Sequence, residues 1–193
     1  KLAELQTLFA PLGMTLVRQS ELNIPEAAEP FKTFVENALA KARHAAQLSG
    51  LPALADDAGL CVDAFGGQPG VDTAYYATRF GYPKGDDTNV SALLEQMLGI
   101  TNRRAAMVST LVALRSADDP EPLIAVGRVV VQITPERRGS NGFGFDPVMW
   151  LPEFGKTFAE LPPEVKNAHS HRGRAAQAML ALMRDRWLDG SAT

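Results

Sequence analysis

Leu2, Leu5, Leu8, Phe9 and Leu12 recur at helical spacing, so the chain opens in an amphipathic helix that Gly13 is placed to end. Met14 to Arg18 reads as a short strand, and a polar loop runs on through Glu29. A second stripe, Phe31, Phe34, Val35, Ala38, Leu39, Ala42 and Ala46, predicts a helix closed by Gly50. Pro52 to Ala55 is a short apolar run that stops at Asp56-Asp57-Ala58-Gly59, the pattern of a strand delivering carboxylates to a sheet edge. Leu60 to Ala64 continues extended, and Gly66-Gly67-Gln68-Pro69-Gly70 is a loop by composition.

Asp87 or Thr88 can cap a helix carrying Val90, Leu93, Leu94, Met97 and Leu98, with Gly99 at its end. Two long segments rich in Val, Thr, Leu and Ile follow, Arg104 to Arg115 and Leu123 to Thr134. The turn-like Ala117-Asp118-Asp119-Pro120-Glu121 between them predicts an antiparallel pair. Asn141 to Pro147 is a glycine-aromatic loop, and Thr157 with Glu160 has capping-box spacing before Pro162-Pro163. Ser170 is placed to cap a last helix whose Ala175, Ala176, Met179, Leu180, Met183 and Trp187 share one face. Helices mixed with strands, and a late antiparallel pair, predict an α/β or α+β fold.

Composition narrows the picture. At 193 residues, 46% apolar and 21% charged, the chain fits a single domain over 1–193 with an ordinary globular core. A formal charge of −3 offers no overall basic field for nucleic acid, so a nucleotide partner would need a local positive pocket. The one cysteine, Cys61, cannot close an internal disulfide, and the cytoplasm is the expected compartment. The start at Lys1 has neither a signal peptide's basic region nor its apolar stretch, and apolar runs fall short of the ~20 residues of a spanning helix.

Three polar clusters carry candidate chemistry. The first is Glu29, Glu36 and Lys41 with Asp56-Asp57. Paired carboxylates suit Mg²⁺, and one of them can take a proton from an attacking water. The same residues also read as a turn start and a solvated lysine. The second is Gly142-Phe143-Gly144-Phe145-Asp146-Pro147, where glycines admit a ligand close to the backbone, an aromatic ring can stack on a base, and Asp146 can accept its N–H groups. A packed turn with both phenylalanines in the core is the plain alternative. The third is Lys166 with Ser170-His171-Arg172-Gly173, cations gathered at a helix start. They work against the macrodipole there, which tilts this cluster toward binding an anion or a carbonyl.

Taken in order, Phe34-Val35-Glu36-Asn37-Ala38 with Lys41-Ala42, Ala55-Asp56-Asp57-Ala58-Gly59-Leu60, Pro69-Gly70-Val71, Gly142 to Pro147 and Lys166-Asn167-Ala168-His169-Ser170-His171-Arg172-Gly173 resemble the inosine/xanthosine triphosphate pyrophosphatase (Ham1-like) family over essentially the whole chain. The resemblance implies Mg²⁺-dependent cleavage of ITP, dITP and XTP to the monophosphate and pyrophosphate. It also implies an elongated α/β protein with a central mixed β-sheet flanked by helices, two lobes with a nucleotide cleft between them, and a homodimer.

By that resemblance Asp57 is the proton acceptor and a metal ligand, with Glu29 and Asp56 as further metal-site carboxylates. Lys1 and Lys41 grip phosphate, and Ala58 contacts the substrate through its backbone N–H. Phe143 stacks on the purine with Gly144 and Phe145 beside it. Asp146, Lys166, His171 and Arg172 read the base edge and fix the nucleotide. The chain departs from the family in several places. The strand and threonine/asparagine loop that precede the Lys1 position have no counterpart, Ala58 stands where serine is common, and Phe145 replaces a Tyr or Trp. Thr73-Ala74-Tyr75 replaces a Ser-Ala-Arg stretch, with Arg79 near in sequence. Two alternatives follow: a nucleotide-binding module of the same fold without turnover, and a related pyrophosphatase with shifted base preference.

Overall fold

A computed structural model describes residues 2–188 of the chain. Helices α1 (Leu2–Phe9), α2 (Phe34–Ser49), α3 (Asp86–Gln96), α4 (Pro163–His169) and α5 (His171–Met183) accompany strands β1 (Ala53–Val62), β2 (Arg104–Leu114), β3 (Leu123–Ile133), β4 (Met149–Leu151) and β5 (Lys156–Thr157). The five strands form one sheet in the order β1-β2-β3-β4-β5. β2 and β3 are the predicted hairpin. Asp119 closes its turn by accepting the backbone N–H groups of Arg115 and Glu121, and the Ile133 N–H meets the Arg103 carbonyl at the open end. β4 then pairs antiparallel with β3 (Gln132 with Trp150), and β5 antiparallel with β4.

The chain divides into two compact units, one of Lys1–Asp57, Ser109–Gly127 and His171–Thr193, the other of Ala58–Val108 and Arg128–Ser170. In the first, alternation along the strands separates two cores. Val112 and Leu114 pack on Ala38 and Ala42 of α2, while Leu111 and Ala113 pack on Leu5, Phe9, Ala175 and Met179 of α1 and α5. Gly127 permits the approach of α5 to β3, because a Cβ there would overlap the backbone at His171 and Ala175. The second unit centres on Leu60, Val62, Val90, Leu93, Met97, Val131, Phe145, Met149 and Phe158. Asn89 anchors α3 in it, accepting the Ala77 N–H and donating to the Ala74 carbonyl.

The helical expectations hold to within a turn: Gly13 and Gly50 adopt the left-handed conformation after their helices, and Thr157 with Glu160 forms the capping box. Others are corrected. Met14 to Arg18 joins no strand, since a strand exists only by pairing and β1 pairs within the order given above. Asp56-Asp57 stands in the middle of β1, not at its end. α3 starts two residues earlier than a cap at Asp87 implies, with Gly85 at its cap. Pro162-Pro163 does not merely stop a turn, because Pro163 opens α4, where its missing N–H costs nothing. No described helix is long and apolar enough to cross a membrane.

Candidate active site

Consecutive residues on a strand point to opposite faces, and this decides where the paired aspartates go. Asp57 shares the face of Ala55, toward α2, and there Lys41 Nζ donates to its Oδ1 at 2.9 Å and to Glu29 Oε2 at 3.2 Å. Asp56 shares the face of Leu54, toward α5. Its Oδ1 accepts from Ser109 Oγ at 2.7 Å, and its Oδ2 accepts from Arg172 Nε and Nη2, each at 3.1 Å. Arg172 is only 3% exposed, so this is a buried ion pair that depends on its geometry and on the Ser109 hydroxyl.

Asp57 is 7% exposed, and its Oδ2 is buried with no hydrogen-bond partner. Burial pushes its carboxyl above the ordinary aspartate range. Lys41 opposes that shift, while the charges of Glu29 and Asp56 add to it. A raised carboxyl suits a general base, and an open oxygen is what either a base or a metal ligand presents. The loop that brings Glu29 to this place is pinned at both ends. His44 Nε2 bonds the Pro25 carbonyl at 2.9 Å, and the buried Asn37 side chain accepts from the Phe31 N–H and donates to its carbonyl.

The sequence reading grouped Glu36 with this cluster and put Asp56 beside Glu29 and Asp57. Glu36 is instead engaged at the α2 N-terminus, where its Oε2 accepts from Thr33 Oγ1 and its N–H donates back to that hydroxyl. Asp56 lies on the opposite face, engaged by Ser109 and Arg172. Among the described residues no three His, Cys, Asp or Glu side chains converge as a ready-made metal cluster. The Asp57 and Glu29 oxygens are nonetheless hard ligands of the kind Mg²⁺ takes one or two at a time, completing its shell with water and phosphate oxygens. The open Oδ2 of Asp57 fits that use.

In the other unit, residues 141–147 make a loop held by its own carboxylate. Asp146 Oδ2 accepts from the Phe143 N–H at 2.9 Å and from Lys166 Nζ at 2.5 Å. Gly142 has φ +80°, and a side chain there would collide with the Asp146 carboxylate, so the turn requires glycine. Phe145 and Phe143 part company. Phe145 is buried in the core, whereas Phe143 is 39% exposed, with Lys166 Nζ 4.6 Å from its ring centroid. One ring thus packs in the core while the other stays partly exposed.

The remaining candidates fall as follows. Lys166 sits on α4 with Phe143 and Asp146, while His171 and Arg172 begin α5 in the unit that holds Asp56 and Asp57. His171 is buried. Ala58 follows Asp57 on β1 and Gly144 follows Phe143 at the loop apex; Lys1 lies outside the described residues. Thr73 accepts the Leu60 N–H, tying its segment to β1, and Arg79 pairs with Asp72 and Gln68. The roles of Ser109 and His44 show in the sequence only as polar residues inside an apolar run or stripe, and that of Asn37 only within the Phe34–Ala38 motif.

The profile of the Ham1 family matches residues 1–182. A protein of Paracidovorax citrulli (strain AAC00-1), named dITP/XTP pyrophosphatase, is 79% identical over 187 residues, 97% of this chain and 94% of its own length. A protein of Verminephrobacter eiseniae (strain EF01-2) with the same name is 77% identical over 188 residues, again covering 97% of this chain and 94% of that protein. Among solved structures, the HAM1 protein of Coxiella burnetii superposes with a TM-score of 0.88 at 40% identity, over 95% of this chain and 93% of that one. With a family match across nearly its whole length and relatives this similar, the chain belongs to the Ham1 family.

Proposed function

We propose that this protein hydrolyses non-canonical purine nucleoside triphosphates, ITP, dITP and XTP, to the nucleoside monophosphate and pyrophosphate, removing deaminated purines from the nucleotide pool. The observation that carries the reading is Asp57: a buried carboxylate with one oxygen on Lys41 and the other open. The name dITP/XTP pyrophosphatase, borne by relatives at 79% and 77% identity, supports the substrate class.

In this reading water attacks the α-phosphorus, its proton passes to Asp57 Oδ2, and the bond to the β-phosphate oxygen breaks to release pyrophosphate. Lys41 holds Asp57 in place and adds positive charge where phosphate oxygens develop theirs. Mg²⁺, held by Glu29 and Asp57, would offset the triphosphate's charge and stabilise the leaving pyrophosphate. Asp56 keeps Arg172 fixed, and Arg172 with His171 serves the nucleotide from the start of α5. Lys1 and the Ala58 N–H complete the phosphate contacts.

Phe143 stacks on the purine, with Gly144 giving close approach and Phe145 supporting the loop from the core. Lys166 donates to the 6-keto oxygen that hypoxanthine and xanthine carry and adenine lacks, so adenine would face a donor with a donor. Asp146 orients that lysine and accepts purine N–H groups. We further propose a cytoplasmic homodimer. The alternating exposure of Ile124, Val126 and Val130 along β3 supports an interface there, and light scattering of the purified protein tests it. The activity is tested by pyrophosphate release from dITP and XTP in the presence of Mg²⁺, with dATP, dGTP and dTTP as comparisons.

A further inference from the structure

We propose that Asp86, at the start of α3, is a positioning residue that holds the Phe143 loop in its base-stacking conformation. The Gly144 N–H donates to Asp86 Oδ2 at 2.9 Å across 58 residues of sequence. The loop is fixed at its two ends from within the same unit. Asn141 donates to the Ala159 and Leu161 carbonyls, and Asp146 accepts from Phe143 and Lys166. Its apex is the part that carries the exposed ring, and Gly142 and Gly144 both hold positive φ there, a backbone that costs entropy to fix.

Asp86 supplies an anchor to that apex from a different element. The anchor itself is rigid. α3 buries Val90 and Leu93 completely or nearly so, and Asn89 ties it to the 74–77 segment. The next residue repeats the grip: Arg137 Nη2 pairs with Asp87 Oδ1 at 3.1 Å and donates to the Asp87 carbonyl and Ser91 Oγ at 2.9 Å each. The first turns of α3 therefore hold both the approach to the loop and its tip. A purine that stacks on Phe143 meets a ring already in place, and the ordering cost is met before binding.

This inference rests on the stacking role of Phe143. The test compares Asp86→Ala, Asp86→Asn and Phe143→Ala in steady-state kinetics with dITP and Mg²⁺. Asparagine keeps the acceptor oxygen and loses the charge, so Asp86→Asn should stay within about threefold of the parent KM. Asp86→Ala should raise KM about tenfold, the worth of one hydrogen bond to a charged group, with kcat changed less than about threefold. In a Phe143→Ala background, Asp86→Ala should add little, because the ring it positions is gone. A raised KM in Phe143→Ala with none in Asp86→Ala overturns the Asp86 role alone. An unchanged KM in Phe143→Ala overturns the stacking reading and the inference with it. Equal losses of Tm in both Asp86 variants, with KM unmoved, would make Asp86 a helix-dipole residue instead.

Discussion

Lys41 Nζ lies 2.9 Å from Asp57 Oδ1 and 3.2 Å from Glu29 Oε2, so one ammonium joins carboxylates from a strand and from a loop. The lysine comes from the middle of α2, the aspartate from the middle of β1, and both positions face the same small apolar layer. That layer removes water from Asp57, while Lys41 keeps its charge tolerable. The open oxygen of Asp57 is what remains for chemistry.

Asp57→Asn should lower kcat for dITP by about 10²–10⁴ while leaving the dissociation constant within a few-fold, since in the proposed mechanism it removes the proton acceptor but little volume. Rapid-quench turnover and equilibrium binding check the two halves. An unchanged kcat would remove Asp57 from the reaction.

The same variant should be no less stable than the parent at neutral pH. Folding raises the Asp57 carboxyl above its ordinary 3.8, so the fold favours the protonated form. The stability this contributes is full below 3.8 and is lost as pH rises through the raised value. Wherever the native aspartate is ionised, it costs stability that asparagine does not. Thermal melts at pH 7 should show Tm equal or higher in Asp57→Asn; a fall of several degrees would show that the carboxylate holds the fold together.

In the metal-free protein the Asp57 carboxyl should titrate above an ordinary aspartate. Lys41→Met removes the influence that opposes the upward shift, so that titration should move to higher pH. Carboxyl-carbon NMR of both proteins across pH, without Mg²⁺, checks this, and a midpoint that stays in place or moves down contradicts it.

Arg172→Ala strands a buried carboxylate. Loss of one partner from a buried pair costs about 3–5 kcal/mol, so denaturant unfolding should show a large loss of stability. Ser109→Ala, which removes one neutral donor from the same carboxylate, should cost about 1–2 kcal/mol. Similar small losses in both would mean that Asp56 is reached by water.

Asp119 accepts two backbone N–H groups and the Arg115 side chain, which hold its carboxyl down to about 2. Its contribution is present above the unfolded value of 3.8 and is lost as pH falls through about 2. Asp119→Ala should therefore destabilise at pH 6 and hardly at all near pH 2, which chemical denaturation at the two pH values will show.

Most of the helices were legible because their apolar stripes are long and their ends carry Gly13, Gly50 and Gly99. The β2–β3 hairpin was legible from two β-rich runs around Asp118-Asp119-Pro120. What escaped depends on partners that a sequence does not display. Met14 to Arg18 has strand composition and no ladder. Asp56 and Asp57 look like one acidic pair, yet strand alternation sends them to different faces and different cations. Lys166 and Arg172, six residues apart, serve different carboxylates, Asp146 and Asp56. Ser109 stood out only as a polar residue in an apolar run and Asp86 not at all, because a hydroxyl in a strand and an aspartate at a helix start are ordinary until their partners are seen.

Pyrophosphate release with Mg²⁺ from dITP and XTP, against dATP, dGTP and dTTP at equal concentration, tests the proposed reaction and its base choice together. Rapid release from dITP and XTP, with release at least about a hundredfold slower from dATP, is the expected result. Binding of dITP without release would make the protein a nucleotide-binding module, and release from dTTP with none from dITP would refute the reading of its base site.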